Sequence, residues 1–345
     1  MSGQRVLGVL VIGGAGYIGS HVTKVLLTKG YHPVILDDLS TGHRSVMKHL
    51  SGVPFYEGNA GDAALLTQIF EKHSVSAVMH FGAKALVAES LVDPLAYYRA
   101  NVAETLSLLE VMVGCGVRTI VFSSTCATYG EPQGTLIEES PQLPINPYGR
   151  SKLMIEQVLR DCAIAYGLRC AVLRYFNAAG ADPEALLGED HRPETHLIPL
   201  VIRAALKGAG NPEGKLTIYG SDYATPDGSC IRDYIHVNDL AAGHILALEY
   251  LQENGGFFDF NLGGGKGYSN FEVVAAVEKV LGKKIIFEMG QRRPGDPPVL
   301  VADTTKARKI LNWRPEYSLN QIIETAHAWL VAHPQGYETY EGHEE

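Results

Sequence analysis

The sequence predicts an α/β fold, a doubly wound parallel sheet with a smaller mixed α/β domain set against it. Three observations predict this. A glycine-rich stretch, "VLVIGGAGYIGSH", joins an apolar run to a helical pattern near the start. Strand-like and helix-like segments then alternate through the first half, as a parallel sheet covered on both faces requires. After about Tyr175 the alternation loosens into long polar loops.

The strands expected are Val6–Ile12, Pro33–Leu36, Val53–Tyr56, Ala77–Phe81, Thr119–Phe122 and Cys170–Leu173. Each is apolar along its length, which suits strands buried on both faces. Between them a helix is expected over Pro94–Val113. It places Leu95, Tyr98, Val102, Leu106, Leu109 and Val113 at three- and four-residue spacings. A second amphipathic segment runs from Tyr148 to Tyr166.

"GADPEALLGEDHRPETH" and "GSDYATPDGSC" read as Gly- and Pro-rich loops, and loops of that length are commonly functional. Helices are expected over Leu197–Lys207 and Phe271–Leu281. "YIHVNDL" and "FDFNLG" read as a helix and a strand that return to the first domain. The expected division is therefore 1–175, with returning segments near 234–265, and 176–345 as the main part of the second domain.

Bulk properties bound the function. A chain of 345 residues with 46% hydrophobic and 19% charged residues is globular and core-forming. Net charge is −9 and no run of Lys or Arg forms a stripe, so nucleic acid is not an expected partner. The five cysteines form no C-x-x-C pair and are odd in number, which favours a reducing compartment and offers no zinc motif. No apolar run reaches the length of a membrane span. "RVLGVLVIGG" has an apolar run of strand length and no small-residue cleavage site, so it reads as the buried first strand of a cytoplasmic protein.

The glycine loop carries the first chemistry. Gly14, Gly16 and Gly19 fit G-x-G-x-x-G, and Gly13, Gly16 and Gly19 fit the related G-x-x-G-x-x-G. Such glycines make a tight turn, admit a pyrophosphate and let helix pack on strand, the Rossmann arrangement. The helix N-terminus then faces the phosphates. An acid at the end of the next strand, Asp37, can accept hydrogen bonds from a ribose diol and would repel a 2′-phosphate. NAD is thus the expected cofactor rather than NADP.

"NPYGRSK" carries the second. Tyr148 and Lys152 stand four residues apart and share a helix face. Chance supplies on the order of one such pair in a chain with 17 tyrosines, so the pair gains weight only beside the dinucleotide loop. Hydride transfer from a carbinol also requires removal of a proton from its oxygen. A tyrosinate does this if its pKa falls from about 10 to about 7, worth roughly 4 kcal/mol. The Lys152 ammonium and an oxidised nicotinamide are the cations expected to lower it. "FSSTCATYG" ends a strand upstream, where Ser124 and Thr125 can hydrogen-bond the reacting oxygen.

With these segments the chain resembles the extended short-chain dehydrogenase/reductase family, and within it the UDP-glucose (UDP-galactose) 4-epimerases. The resemblance runs nearly end to end, through "GGAGYIGSH", "HFGAKALVAES", "SSTCATYG", "NPYGRSK", "LRYFNAAGA", "ETHLIP", "RDYIHVNDL", "NLGGGKGYS" and "RRPGD". It implies a tightly held NAD⁺ that oxidises the sugar C4 hydroxyl and returns the hydride to the other face of a 4-keto sugar. Tyr148 would be the base, Lys152 its partner and nicotinamide-ribose ligand, and Thr125 and Ser124 the hydroxyls. The cofactor would lie against Gly13, Gly16, Tyr17, Ile18, Gly19, Asp37, Asp38, Asn59, Ala60, Phe81, Gly82, Lys84, Asn101 and Phe176. Asn177, His196, Leu197, Thr217, Tyr219, Arg232, Arg293, Asp296 and Leu300 would hold the UDP-sugar. The family also implies a homodimer built on the segments Pro94–Val113 and Tyr148–Tyr166.

Some positions depart from the family pattern. Asn59 replaces an aspartate, Lys84 stands one residue early, and His196 replaces an asparagine. Leu300 stands where a bulky tyrosine is frequent, and a smaller side chain there would leave room for an N-acetyl group. Three rival readings are a UDP-xylose/UDP-arabinose 4-epimerase, a sugar-nucleotide dehydratase and a non-catalytic NAD-binding sensor. The dehydratase lacks its acid/base pair, since Cys126 and Ala127 occupy that turn.

Overall fold

The computed structural model describes residues 7–131, 134–208, 216–293 and 295–337. Seven parallel strands form the central sheet: β1 (Gly8–Ile12), β2 (His32–Asp37), β3 (Phe55–Glu57), β4 (Val75–His80), β5 (Thr119–Thr125), β6 (Arg169–Tyr175) and, much later in the chain, β10 (Phe257–Leu262). Their order is β10-β6-β5-β4-β1-β2-β3. The winding reverses between β1 and β4, and the crevice outside the carboxyl ends of the strands opens there.

Alternation along the strands assigns the two faces. Val9 and Val11 of β1 pack into one core, with α1 (Tyr17–Thr28) and α8 (Val237–Asn254) supplying Val22, Leu26, Leu240 and Leu248. Leu10 and Ile12 pack into the other. Over that face lie α2 (Ala63–His73), α5 (Glu104–Gly114) and α6 (Pro147–Tyr166), through Leu66, Leu108 and Leu159.

The smaller elements follow β6. A four-stranded sheet joins β7 (Asn177–Ala179), β9 (Ile231–His236), β11 (Gly267–Ser269) and β13 (Val299–Leu300). A second pair joins β8 (Leu216–Tyr219) to β12 (Phe287–Gly290). Helices α7 (Leu197–Lys207), α9 (Asn270–Leu281) and α11 (Leu319–Ala332) complete this part. Capping boxes at Ser269/Glu272 and Ser318/Gln321 start the last two helices.

Three expectations need correction. The first strand begins at Gly8, and Val6 lies outside the described residues. "YIHVNDL" is not one helix: Tyr234–His236 complete β9, pairing with β7, and α8 starts at Val237. His236 makes the switch, its Nδ1 accepting the Asn238 N–H at 3.0 Å. The segment Pro94–Val113 is not one α-helix either. A π-helical turn, Tyr98–Ala103, separates α4 (Pro94–Tyr97) from α5. The wider turn rotates α5 out of the register that α4 would have set. Leu95 and Leu106, expected in the buried stripe, are 65% and 40% exposed. Asn101 is buried instead.

Candidate active site

The glycine loop closes at the carboxyl end of β1. Gly13 has φ +75°, and a Cβ there would lie 2.5 Å from the Gly82 nitrogen. A Cβ on Gly19 would lie 2.1 Å from the Gly13 carbonyl oxygen, so α1 approaches the strand only with glycine in place. Asp37 ends β2 beside this turn. Its carboxylate accepts the N–H groups of Ala15 (2.8 Å) and Leu39 (2.9 Å). Burial raises its pKa, against those two hydrogen bonds.

One cleft of ≈ 580 Å³ runs from this loop across the ends of β4, β5 and β6 to β9 and β13. Gly13, Gly16, Tyr17, Ile18, Gly19, Asp37, Asp38, Asn59, Ala60, Phe81, Gly82, Lys84 and Phe176 line it. So do Ser124, Thr125, Tyr148, Lys152, Asn177, His196, Arg232, Asp296 and Leu300. Residues expected separately, from distant parts of the chain, thus meet in one continuous space.

Five expected residues stand outside that lining. Asn101 grips the backbone of Lys84, accepting from its N–H (2.8 Å) and donating to its carbonyl (3.0 Å), and it also donates to Ser151. It holds the cleft wall from behind. Leu197 opens α7 and packs against the core. Thr217 donates to Glu288 at 3.2 Å across the β8–β12 pair. Arg293 lies 4.2 Å over the Tyr219 ring, and neither is in the lining. The inner arginine is Arg232, which approaches Asp296 at 3.7 Å.

Helix α6 delivers the Tyr–Lys pair. Asn146 caps it by accepting the Gly149 N–H at 2.8 Å, and Pro147 occupies its first turn. Tyr148, Lys152 and Glu156 then follow at four-residue spacing, the last two fully buried. Lys152 donates to the Ser123 carbonyl at 2.8 Å and lies 4.8 Å over the Phe122 ring. Burial pushes its amine down to about 7, against the Glu156 carboxylate.

The phenol of Tyr148 lies in a low-polarity wall. Burial pushes it up to about 12, although a hydrogen bond with Thr125 works the other way. The low-polarity wall penalises a phenolate more than the Thr125 hydrogen bond relieves it. The Ser124 hydroxyl donates to the buried Glu156 carboxylate. Thr125, whose Oγ1 accepts the Ala127 N–H at 3.1 Å, is the hydroxyl left nearest the phenol.

Beneath the pair lies a buried ionic knot that the motifs do not announce. Arg174 on β6 meets Glu156 at 2.7 Å and Asp259 at 3.1 Å, and donates to Tyr129 and to the Glu138 carbonyl. A second cluster stands at the cleft rim, in the loop before α7. His196 Nδ1 lies 2.6 Å from Glu189 Oε1 and 3.2 Å from Glu194 Oε1. His191 Nδ1 lies 3.1 Å from Glu189 Oε1 and 3.9 Å from Glu194 Oε1. Desolvation disfavours charge on both imidazoles, but the two carboxylates outweigh it and hold His191 up at about 9 and His196 at about 10. The repeat E-x-H-x-x-E-x-H over 189–196 was the available sequence signal.

Residues 9–263 match the family model described as the NAD dependent epimerase/dehydratase family. The chain is 50% identical over 335 residues to a UDP-glucose 4-epimerase of Halalkalibacterium halodurans, covering 96% of this chain and 98% of that one. It superposes with a TM-score of 0.87 on a UDP-glucose 4-epimerase from Brucella ovis in complex with NAD, at 48% identity over 94% and 98% of the two chains. A UDP-glucose 4-epimerase from Bifidobacterium longum in complex with NAD⁺ and UDP gives a TM-score of 0.91, at 38% identity over 96% and 100%.

Proposed function

The chain belongs to the NAD dependent epimerase/dehydratase family, and from that premise we propose that it is an NAD-dependent UDP-glucose 4-epimerase. It interconverts UDP-galactose and UDP-glucose. The observation that carries the proposal is the single cleft. It joins the dinucleotide loop and Asp37 at one end to Arg232, Asp296 and Leu300 at the other, with Tyr148 and Lys152 between.

The residues present fit NAD. Gly13 and Gly19 admit no side chain, and the Asp37 carboxylate is fixed by two backbone N–H groups with lone pairs to spare for a ribose diol. When bound, NAD⁺ would supply the acceptor and donor for the C4 hydride. The chain's own part is proton handling and anchorage. Tyr148 takes the C4 hydroxyl proton and gives it back, and Thr125 orients the oxygen. The phenol sits at about 12 in the chain itself, and positive charge from Lys152 and from an oxidised nicotinamide would lower it. Arg232 offers a planar donor fork to the diphosphate. Nucleotide anchorage leaves the hexose free to present either face.

Leu300 packs with Cys126, Tyr129, Leu136, Phe176 and Ala302 at the sugar end. Its size suits N-acetylhexosamine forms as additional substrates. Exposed Leu91, Leu95, Leu106, Met154 and Ile164, along α3 (Val87–Val92), α4, α5 and α6, suit a homodimer. We place the enzyme in the cytoplasm, in keeping with five unpaired cysteines. No helix among the described residues is long and apolar enough to cross a membrane.

The test is direct. Purified protein is incubated with UDP-galactose and no added NAD, and products are separated by chromatography. UDP-glucose should form. Product only on addition of NAD, with NADH released, would replace the epimerase with a dehydrogenase. Tyr148→Phe should lower turnover by about 10²–10⁴; activity within a few-fold of wild type would remove Tyr148 from the mechanism.

A further inference from the structure

The loop between β7 and α7 gathers two histidines and two glutamates that the proposed reaction does not need in that number. Each offers one ligand atom, and the four atoms lie within 4.8 Å of one another. Four nitrogen–oxygen separations between them are 2.6, 3.1, 3.2 and 3.9 Å. Ligands about 2.0–2.2 Å from a tetrahedral zinc ion stand about 3.4 Å from each other; three of the separations lie near that spacing, and the His196–Glu189 contact widens to admit an ion.

A second observation points to a cation. The Glu194 side chain is 2% exposed, and its carboxylate faces both imidazoles. Its Oε1 accepts the Thr195 and His196 N–H groups at 2.8 and 2.9 Å. Its Oε2 is buried with no hydrogen-bond partner at all. That oxygen keeps its full acceptor capacity, so the Glu194 carboxylate can serve a cation while its Oε1 stays on the backbone.

We propose that Glu189, His191, Glu194 and His196 bind one divalent transition-metal ion, zinc by preference. Two imidazoles with two carboxylates suit zinc or its neighbours, whereas calcium and magnesium favour all-oxygen shells. Four protein ligands make a closed site, so its role is to brace the loop rather than to perform chemistry. Three of the ligands, Glu189, His191 and His196, also line the cleft. The ion therefore stiffens the wall where substrate enters. The cysteine pattern gave no hint of this because the site uses none.

The experiment uses the full-length, cofactor-loaded protein, stripped with a chelator and titrated with Co²⁺. Visible d–d absorption reports tetrahedral coordination, and Zn²⁺ is then added in competition. The expected result is one equivalent bound, with a strong visible band that zinc abolishes. His191→Asn and Glu194→Gln should each weaken binding by about tenfold or more, with unchanged far-UV circular dichroism. Cys115→Ser, which removes the exposed thiol, should leave the band intact. Absence of any band in the wild type overturns the proposal and leaves a proton-shared ionic cluster. A wild-type band in either folded ligand variant overturns it too.

Discussion

Replacing Arg174 with leucine should destabilise the protein severely, and the structure sets the size of the effect. The guanidinium and the Glu156 carboxylate are 1% and 2% exposed. The substitution leaves Glu156 buried with only Ser124 and Gln142 as donors. Stripping one partner from a buried pair costs about 3–5 kcal/mol. Unfolding entropy near 2.1 cal/mol/K per residue, over 345 residues, converts this to a fall of about 4–7 °C in Tm. The assay is a thermal melt of the cofactor-loaded protein followed by far-UV circular dichroism. The matching double variant, Glu156→Leu with Arg174→Leu, removes both charges. Lys306 still holds Asp259 at 2.5 Å, so most of the lost stability should return. A single variant within about 1 °C of wild type would refute the reasoning. So would a double variant as unstable as the sum of the two singles, since uncoupled charges add.

Three further outcomes are expected. Gly19→Ala drives a Cβ to 2.1 Å from the Gly13 carbonyl oxygen. The purified variant should lose most of its bound NAD, read from the nucleotide released on denaturation, and full retention would contradict the packing argument. Leu300→Tyr should cut kcat/KM for UDP-N-acetylgalactosamine by about tenfold or more relative to UDP-galactose; an equal effect on both substrates would detach Leu300 from selection. Stability should fall as pH drops from 6.5 toward about 4. Burial depresses His21, His80, His236 and His244 to about 4, 3, 3 and 4, so the unfolded chain binds those protons first. Asp233 and Asp239, held up near 6, bind protons first in the native state and offset about half. The remainder is about 2.7 kcal/mol per pH unit at most. A Tm that stays flat or rises over this interval would refute it.

Local rules made part of this molecule readable. The glycine loop, Asp37 and the Tyr148–Lys152 pair depend on spacing and residue type alone, and the cleft assembles around them. The buried strands were readable because apolar runs between turns have few other uses. Their ends were less so: β5 continues to Thr125 because Ser123–Thr125 pair with Leu173–Tyr175, a partnership no local pattern states. The π-helical turn was hidden for the same reason. What the turn achieves, Asn101 reaching Lys84 and Ser151, lies in contacts remote in sequence. Ser124 read as a substrate-facing hydroxyl because Glu156 was invisible as its partner. Arg293 looked equivalent to Arg232, yet only Arg232 is among the residues that line the cleft.

The last strand of the central sheet has a consequence for how this protein is made. β10 pairs with β6 along its whole length, yet about 80 residues separate Tyr175 from Phe257. At synthesis rates near 5–20 residues per second, β6 leaves the ribosome about 4–16 s before its neighbour exists. During that interval a strand of six buried residues presents an open row of backbone donors and acceptors, the template on which aggregation starts. The sheet cannot close at the stage suggested by its first six strands. A nascent chain halted between them keeps that edge open, and fast translation through the intervening segment shortens the exposure.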